Sequence, residues 1–131
     1  MEIKLVQSEK YIISYEYEII TLTIKKSGRK IIIGDFYGDP EVAFISDDES
    51  YCVIGGCGLI IYYLKEPFCE FRYNIDSNQW KEIFREPKDI WWVVDISEGS
   101  NPNRVKFTTD DEQHSGDYEI DVLTLESIRI S

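Results

Sequence analysis

The chain predicts a mainly β fold, an antiparallel sandwich or partly open barrel of about nine or ten short strands with at most one short helix. Three observations carry that expectation. Apolar residues recur with a period of two in several segments, as where Tyr11, Ile13, Tyr15, Tyr17 and Ile19 alternate with Ser14, Glu16 and Glu18. Clusters of turn-forming residues recur at intervals of roughly 8–12 residues. Aromatic residues make up 14% of the chain, and aromatics pack well on a pleated surface.

The elements follow in order. After Ile19 the apolar positions shift phase to Ile20, Leu22 and Ile24, a change of face that a strand makes through a bulge or a bend. Lys26, Ser27, Gly28 and Arg29 read as a turn and residues 30–36 as the returning strand, so residues 11–36 are expected to form one long hairpin. Residues 34–40 form a loop rich in Gly, Asp and Pro, residues 41–46 a strand, 47–50 a turn and 51–54 a further strand. The run Gly55, Gly56, Cys57, Gly58 leads into residues 59–64, whose continuous apolar character is that of a central strand. Residues 70–75 alternate again, with Phe71, Tyr73 and Ile75 on one face. Trp80, Ile83 and Phe84 have helical spacing behind a capping Asp76 or Ser77, and Pro87 closes this one expected helix. Strands are expected at residues 90–96 and 104–109, and a strand or strand pair at 118–130, with loops at 98–103 and 110–117. No internal sequence repeat and no linker interrupts the chain, so residues 1–131 are expected to form a single β-rich domain.

Charge narrows the partners. The 14 Lys+Arg residues against 25 Asp+Glu give a formal net charge of -11. That sign disfavours nucleic acid and anionic membranes and suits a basic protein partner. The longest apolar runs are far shorter than the ~20 residues of a spanning helix. Residues 1–10 carry Glu2, Lys4, Glu9 and Lys10 and lack the apolar core of a secretory signal. With the odd set Cys52, Cys57 and Cys69, the expectation is a cytoplasmic protein with reduced thiols.

Candidate chemistry is sparse. Cys57 on a Gly-rich turn suits a nucleophile only if a base or cation activates it, and the single histidine, His114, lies in an acidic loop. A tight turn with Cys57 as a packing residue explains the same pattern. Cys52, Cys57, Cys69 and His114 lack the paired short spacings of zinc sites, and the acidic turns lack the alternating ligands of a calcium loop. No cofactor, no metal and no catalytic role are expected. Trp91 and Trp92 are more informative, because adjacent residues of a strand point to opposite faces. Aromatics ringed by carboxylates make an anchor surface for a basic protein. The residues expected to bind such a partner are Asp47, Asp48, Glu49, Asp110, Asp111 and Glu112 for charge, with Trp91 or Trp92 and Tyr37 as anchors.

In its small size, acidity, Ile/Tyr/Trp-rich composition and single histidine, the chain resembles the immunity proteins of bacterial toxin–immunity systems, including those of contact-dependent inhibition. The loop from Gly34 through Asp35, Phe36, Tyr37, Gly38 and Asp39 to Pro40, the entry into residues 55–64, and the segments around Trp80 and Trp91–Trp92 carry the likeness. The resemblance implies a binding protein that occludes the active surface of a toxin, often a basic nuclease. Two other expectations stand beside it: a ligand- or carbohydrate-binding sandwich using Trp80, Trp91 or Trp92, and a thiol enzyme centred on Cys57 with His114 or a lysine beside it.

Overall fold

Where a strand is apolar at every position, both of its faces must be covered. The computed structural model, which describes residues 1–131, puts β6 (Tyr51–Gly56) and β7 (Gly58–Tyr63) in that position. Cys52, Ile54, Ile60 and Tyr62 face a first hydrophobic core, while Tyr51, Val53, Leu59 and Ile61 face a second. With β5 (Val42–Ile45) and β8 (Trp80–Ile83) they form a central sheet in the order β5-β6-β7-β8.

A four-stranded sheet covers each face. One comprises β1 (Ile3–Gln7), β2 (Tyr11–Glu16), β3 (Ile19–Ile24) and β4 (Lys30–Asp35), and sends Ile13, Ile20, Leu22, Ile31 and Ile33 into the first core. After a small hairpin of β9 (Arg85–Glu86) and β10 (Asp89–Ile90), the second comprises β11 (Val93–Glu98), β12 (Arg104–Thr109), β13 (Gly116–Asp121) and β14 (Ser127–Arg129). It sends Val93, Val105, Phe107 and Ile120 into the second core. The fold is thus an all-β, antiparallel, sandwich-like stack of three layers, each a four-stranded meander, with no helix and no closed barrel. Emptying either core is expensive: cutting Ile60 or Ile61 back to alanine costs about 2–5 kcal/mol.

There are 14 strands rather than nine or ten. The additional ones include β1, β9 and β10, short and mostly exposed, which bury too little to show a period in sequence, while β13 and β14 are the strand pair expected at 118–130. The expected helix is a strand instead. Ile83 pairs with Leu59 and Lys81 with Ile61, and Ser77 Oγ accepts the Gln79 N–H in a local turn. Trp80 and Ile83 serve opposite cores, which in a strand needs an odd spacing, and three is also a helical spacing. The phase shift at Ile20 is a chain reversal rather than a bulge: Tyr17, at φ 59°, turns the chain so that Glu16 pairs with Ile19. Residues 70–75 lie outside the strands, and Glu70 and Phe71 run along the edge of β4, with the Ile32 N–H donating to Glu70 and the Ile32 carbonyl accepting from Phe71.

Up-and-down meanders collect their turns at two ends. The first end gathers the β2–β3 turn, residues 36–41, the β6–β7 turn at Cys57, the β9–β10 hairpin and the β12–β13 turn. Gly55 there abuts Val93, and a Cβ on Gly55 would stand 2.7 Å from Val93 Cγ1. The second end gathers the β1–β2, β3–β4, β5–β6, β11–β12 and β13–β14 turns. Hydroxyls stitch it: Ser8 Oγ donates to Glu49 at 2.5 Å, Tyr51 to the Pro102 carbonyl at 2.9 Å and Tyr63 to the Val122 carbonyl at 2.5 Å. Strands of six residues place the two ends roughly 20 Å apart.

Candidate functional site

The site begins with a backbone departure. Phe84, just past β8, has φ 61°, a conformation that a bulky side chain adopts only when its surroundings impose it. The consequence is a divergence of neighbours. Phe84 enters the second core, stacked on Trp91 with ring centroids 4.2 Å apart, while Arg85 crosses over Gly58 towards the first. Gly58 has φ +87°, and a Cβ there would lie 2.1 Å from Arg85 Cγ and 2.9 Å from the carbonyl oxygens of Ile83 and Phe84. Only glycine leaves room for that crossing.

Arg85 is then held on all sides, its side chain 10% exposed. Nη2 donates to the Asp35 carbonyl at 2.6 Å, and Nη1 stands 3.2 Å from Glu82 Oε1 without a well-aligned hydrogen bond. The guanidinium lies 4.7 Å from the Phe36 ring centroid and 5.5 Å from that of Tyr73, a cation between aromatic faces. Burial pushes its pKa below the ordinary arginine value, with the Glu82 carboxylate pulling the other way.

Above Arg85 opens a cavity of about 500 Å³. Its buried floor is Phe36, Cys57 and Arg85; its exposed walls are Tyr37, Tyr73, Pro87 and Ile90, with Glu18 and Asp35 also lining it. Tyr37 is 85% exposed and Tyr73 56%. Gly38, at φ +91°, donates its N–H to Glu18 Oε2, which fixes the loop that presents Tyr37. Burial raises the Cys57 thiol pKa and Arg85 draws it down, leaving it above the ordinary value.

Beside the cavity His114 clamps the β9–β10 hairpin to the outer sheet. Its Nε2 is 2.8 Å from Asp89 Oδ1 in the hairpin, and its Nδ1 is 2.8 Å from Asp111 Oδ1 in the β12–β13 turn. The imidazole stacks on Trp91 at 4.2 Å, completing a three-ring pile with Phe84. Burial favours a raised pKa at Asp111, but N–H groups of Trp92, His114 and Gln113 and the His114 ring outweigh it and leave the carboxyl below its ordinary value.

The nine residues expected to bind a partner divide between the two ends. Tyr37, Trp91, Trp92, Asp110, Asp111 and Glu112 lie at the first, and Asp47, Asp48 and Glu49 at the second. Their exposure differs. Trp91 and Trp92 are half-buried, each packed against a different core, while Tyr37, Asp110 and Glu112 are open to solvent. Asp48 accepts from Ser46, Ser50 and the Ser50 N–H within its own turn, and Glu49 accepts from Ser8 and the Lys10 N–H. Asp47 stands beside Glu98, and its proximity and charge raise the Glu98 pKa. The pair borders a second cavity of about 410 Å³ over Phe44 and Tyr51.

Sequence reasoning missed Glu18, Tyr73, Arg85 and Ile90 as site residues. Arg85 stood at the end of an expected helix, and nothing local announces that Phe84 takes a left-handed conformation. Trp80 is buried, 5.3 Å from Phe71 and stacked on Tyr62 at 6.4 Å. Cys52 is buried in the first core and Cys69 is exposed, and no three His, Cys, Asp or Glu side chains converge as a metal site would need. No protein-family model matches the chain, and no curated protein matches it in sequence.

Proposed function

We propose that the protein is an inhibitor that binds and neutralises a basic toxin in the cytoplasm, an immunity protein by function, and that it meets its partner with the first end. One observation carries this reading: at that end Tyr17, Tyr37 and Tyr73 are 80%, 85% and 56% exposed, among the carboxylates of Glu18, Asp35, Asp39, Asp110 and Glu112. Tyrosine offers a large, rigid contact at small entropic cost, and rings of this kind dominate binding energy when a partner dries them. The carboxylates answer the lysines and arginines with which a nuclease holds phosphate, and a net charge of -11 draws such a partner in from a distance. Inhibition by occlusion requires no catalytic group on this chain.

The test is a tagged pull-down from the native organism at low and high salt, followed by co-expression of the captured protein with and without this chain. A single basic polypeptide, lost as salt rises and toxic only when expressed alone, is the expected outcome. Capture of nothing at either salt, or of a protein whose toxicity this chain leaves unchanged, overturns the reading.

A further inference from the structure

The cavity above Arg85 is a socket with a floor and a mouth of different chemistry. Phe36, Cys57, Tyr73 and Ile90 give it mainly apolar walls, and it is about 500 Å³ in volume, ample for a single large side chain. The Arg85 guanidinium, its side chain 10% exposed and 3.2 Å from Glu82, lies in its floor, where an entering cation would meet a like charge whose counter-ion is already engaged. Glu18 and Asp35 line the same opening with the opposite sign, and the hairpin beside it carries Glu86 and Asp89 as well as Lys88. An apolar group is therefore admitted to the floor while basic groups are favoured around the mouth.

We infer that the socket between Tyr37 and Tyr73 receives one uncharged aromatic or large aliphatic side chain of the basic partner, presented by a projecting turn with Lys or Arg on both sides of that anchor. The inference rests on the inhibitor reading for the partner's identity but not for the socket's chemistry. The anchor fills the space over Phe36 and Cys57, and its neighbours pair with Glu18 and Asp35. Recognition is thus of a pattern, basic–apolar–basic, rather than of positive charge alone. A partner with the same net charge and a basic residue at the anchor position is rejected by Arg85.

The test uses the full chain and disulfide-cyclised hairpin peptides with tips Arg-Trp-Arg, Arg-Ala-Arg, Arg-Arg-Arg and Glu-Trp-Glu, with affinities and backbone NMR shifts measured for each. The expected result is that Arg-Trp-Arg binds, with shifts centred on Tyr37, Cys57 and Tyr73, and that the other three bind roughly thirtyfold more weakly or not at all. Tyr37→Ala and Tyr73→Ala, at exposed positions that leave the fold intact, should each weaken Arg-Trp-Arg binding by about tenfold. Equal or tighter binding of Arg-Arg-Arg, shifts centred elsewhere, or no binding by any peptide overturns the socket. Failure of the two readings is separable. If Arg-Trp-Arg occupies the socket but no toxin is neutralised, the inhibitor reading falls alone. If a neutralised toxin binds both tyrosine variants as tightly as the parent, the socket falls alone.

Discussion

Both ends of the stack are acidic, yet only one presents aromatic surface. At the second end the carboxylates serve the chain itself: Asp48 and Glu49 close the β5–β6 and β1–β2 turns, Asp121 accepts from the Leu123 and Thr124 N–H groups, and Glu119 accepts from Ser100. Exposed Lys10, Lys25, Lys26 and Arg29 also stand there. At the first end Tyr17, Tyr37, Tyr73 and Ile90 project among carboxylates, with Lys88 as the cation of the β9–β10 turn. Acidity by itself therefore separates nothing, because both ends also use carboxylates to hold their own turns, Glu18 and Asp111 at the first as Asp48 and Glu49 at the second. What marks the first end is aromatic surface left uncovered beside charge.

The largest test of that difference is a pair of glycines in the same left-handed region. Gly58→Ala should cost about 3 kcal/mol, because the methyl group adds a collision with Arg85 to an unfavourable φ. Gly28→Ala, in the β3–β4 turn at the second end, has φ +74° and open space around it, so only the conformational cost of about 1 kcal/mol is expected. Urea denaturation of both variants measures the contrast, and equal losses would show that the Arg85 crossing is not tightly packed. Next in size is His114→Ala, which removes the hydrogen bond to Asp111, the 2.8 Å contact with Asp89 and the stack on Trp91 and should cost about 2 kcal/mol. Hydrogen exchange should quicken in residues 85–91 and remain unchanged in the β5–β6 turn.

The smallest effects are those of pH, and at the second end they have opposite signs within one turn. Hydrogen bonds from Ser50 and Ser46 hold the Asp48 carboxyl below its ordinary value, and those from Ser8 and Lys10 do the same for Glu49. A depressed folded-state pKa gives stability that is present above the unfolded value and lost as pH falls through the folded one. Glu98 is raised by Asp47, so its contribution is present below the unfolded value and lost as pH rises through the folded one. At neutral pH, Asp48→Asn should lower the urea midpoint and Asp47→Asn should raise it. A shift of both in the same direction would rule out this division of roles.

The strand character of residues 11–24, 41–46, 51–64 and 104–109 was legible because one-sided or continuous burial leaves a period in the sequence. The three-layer stacking was not. A continuous apolar run says that both faces are covered but not by what, and in such a strand the spacing of Trp80 and Ile83 is compatible with helix and strand alike. The exposure of Tyr37 was legible because a tyrosine in a Gly- and Asp-rich loop has little to pack against. The socket was hidden because it depends on Tyr17 and Phe84 adopting left-handed conformations that sequence assigns to glycine or asparagine. Such residues are held by tertiary context, and tertiary context is what a local pattern omits.

The central sheet has a consequence for how such a protein can change over generations. β6 and β7 lie between β5 and β8 in the central sheet and have both faces covered by the outer sheets. The segments bearing Tyr17, Tyr37 and Ile90 hang from the end of that slab and complete little of it. Mutations there cost the fold little, so a lineage can vary that surface while its interior stays nearly fixed.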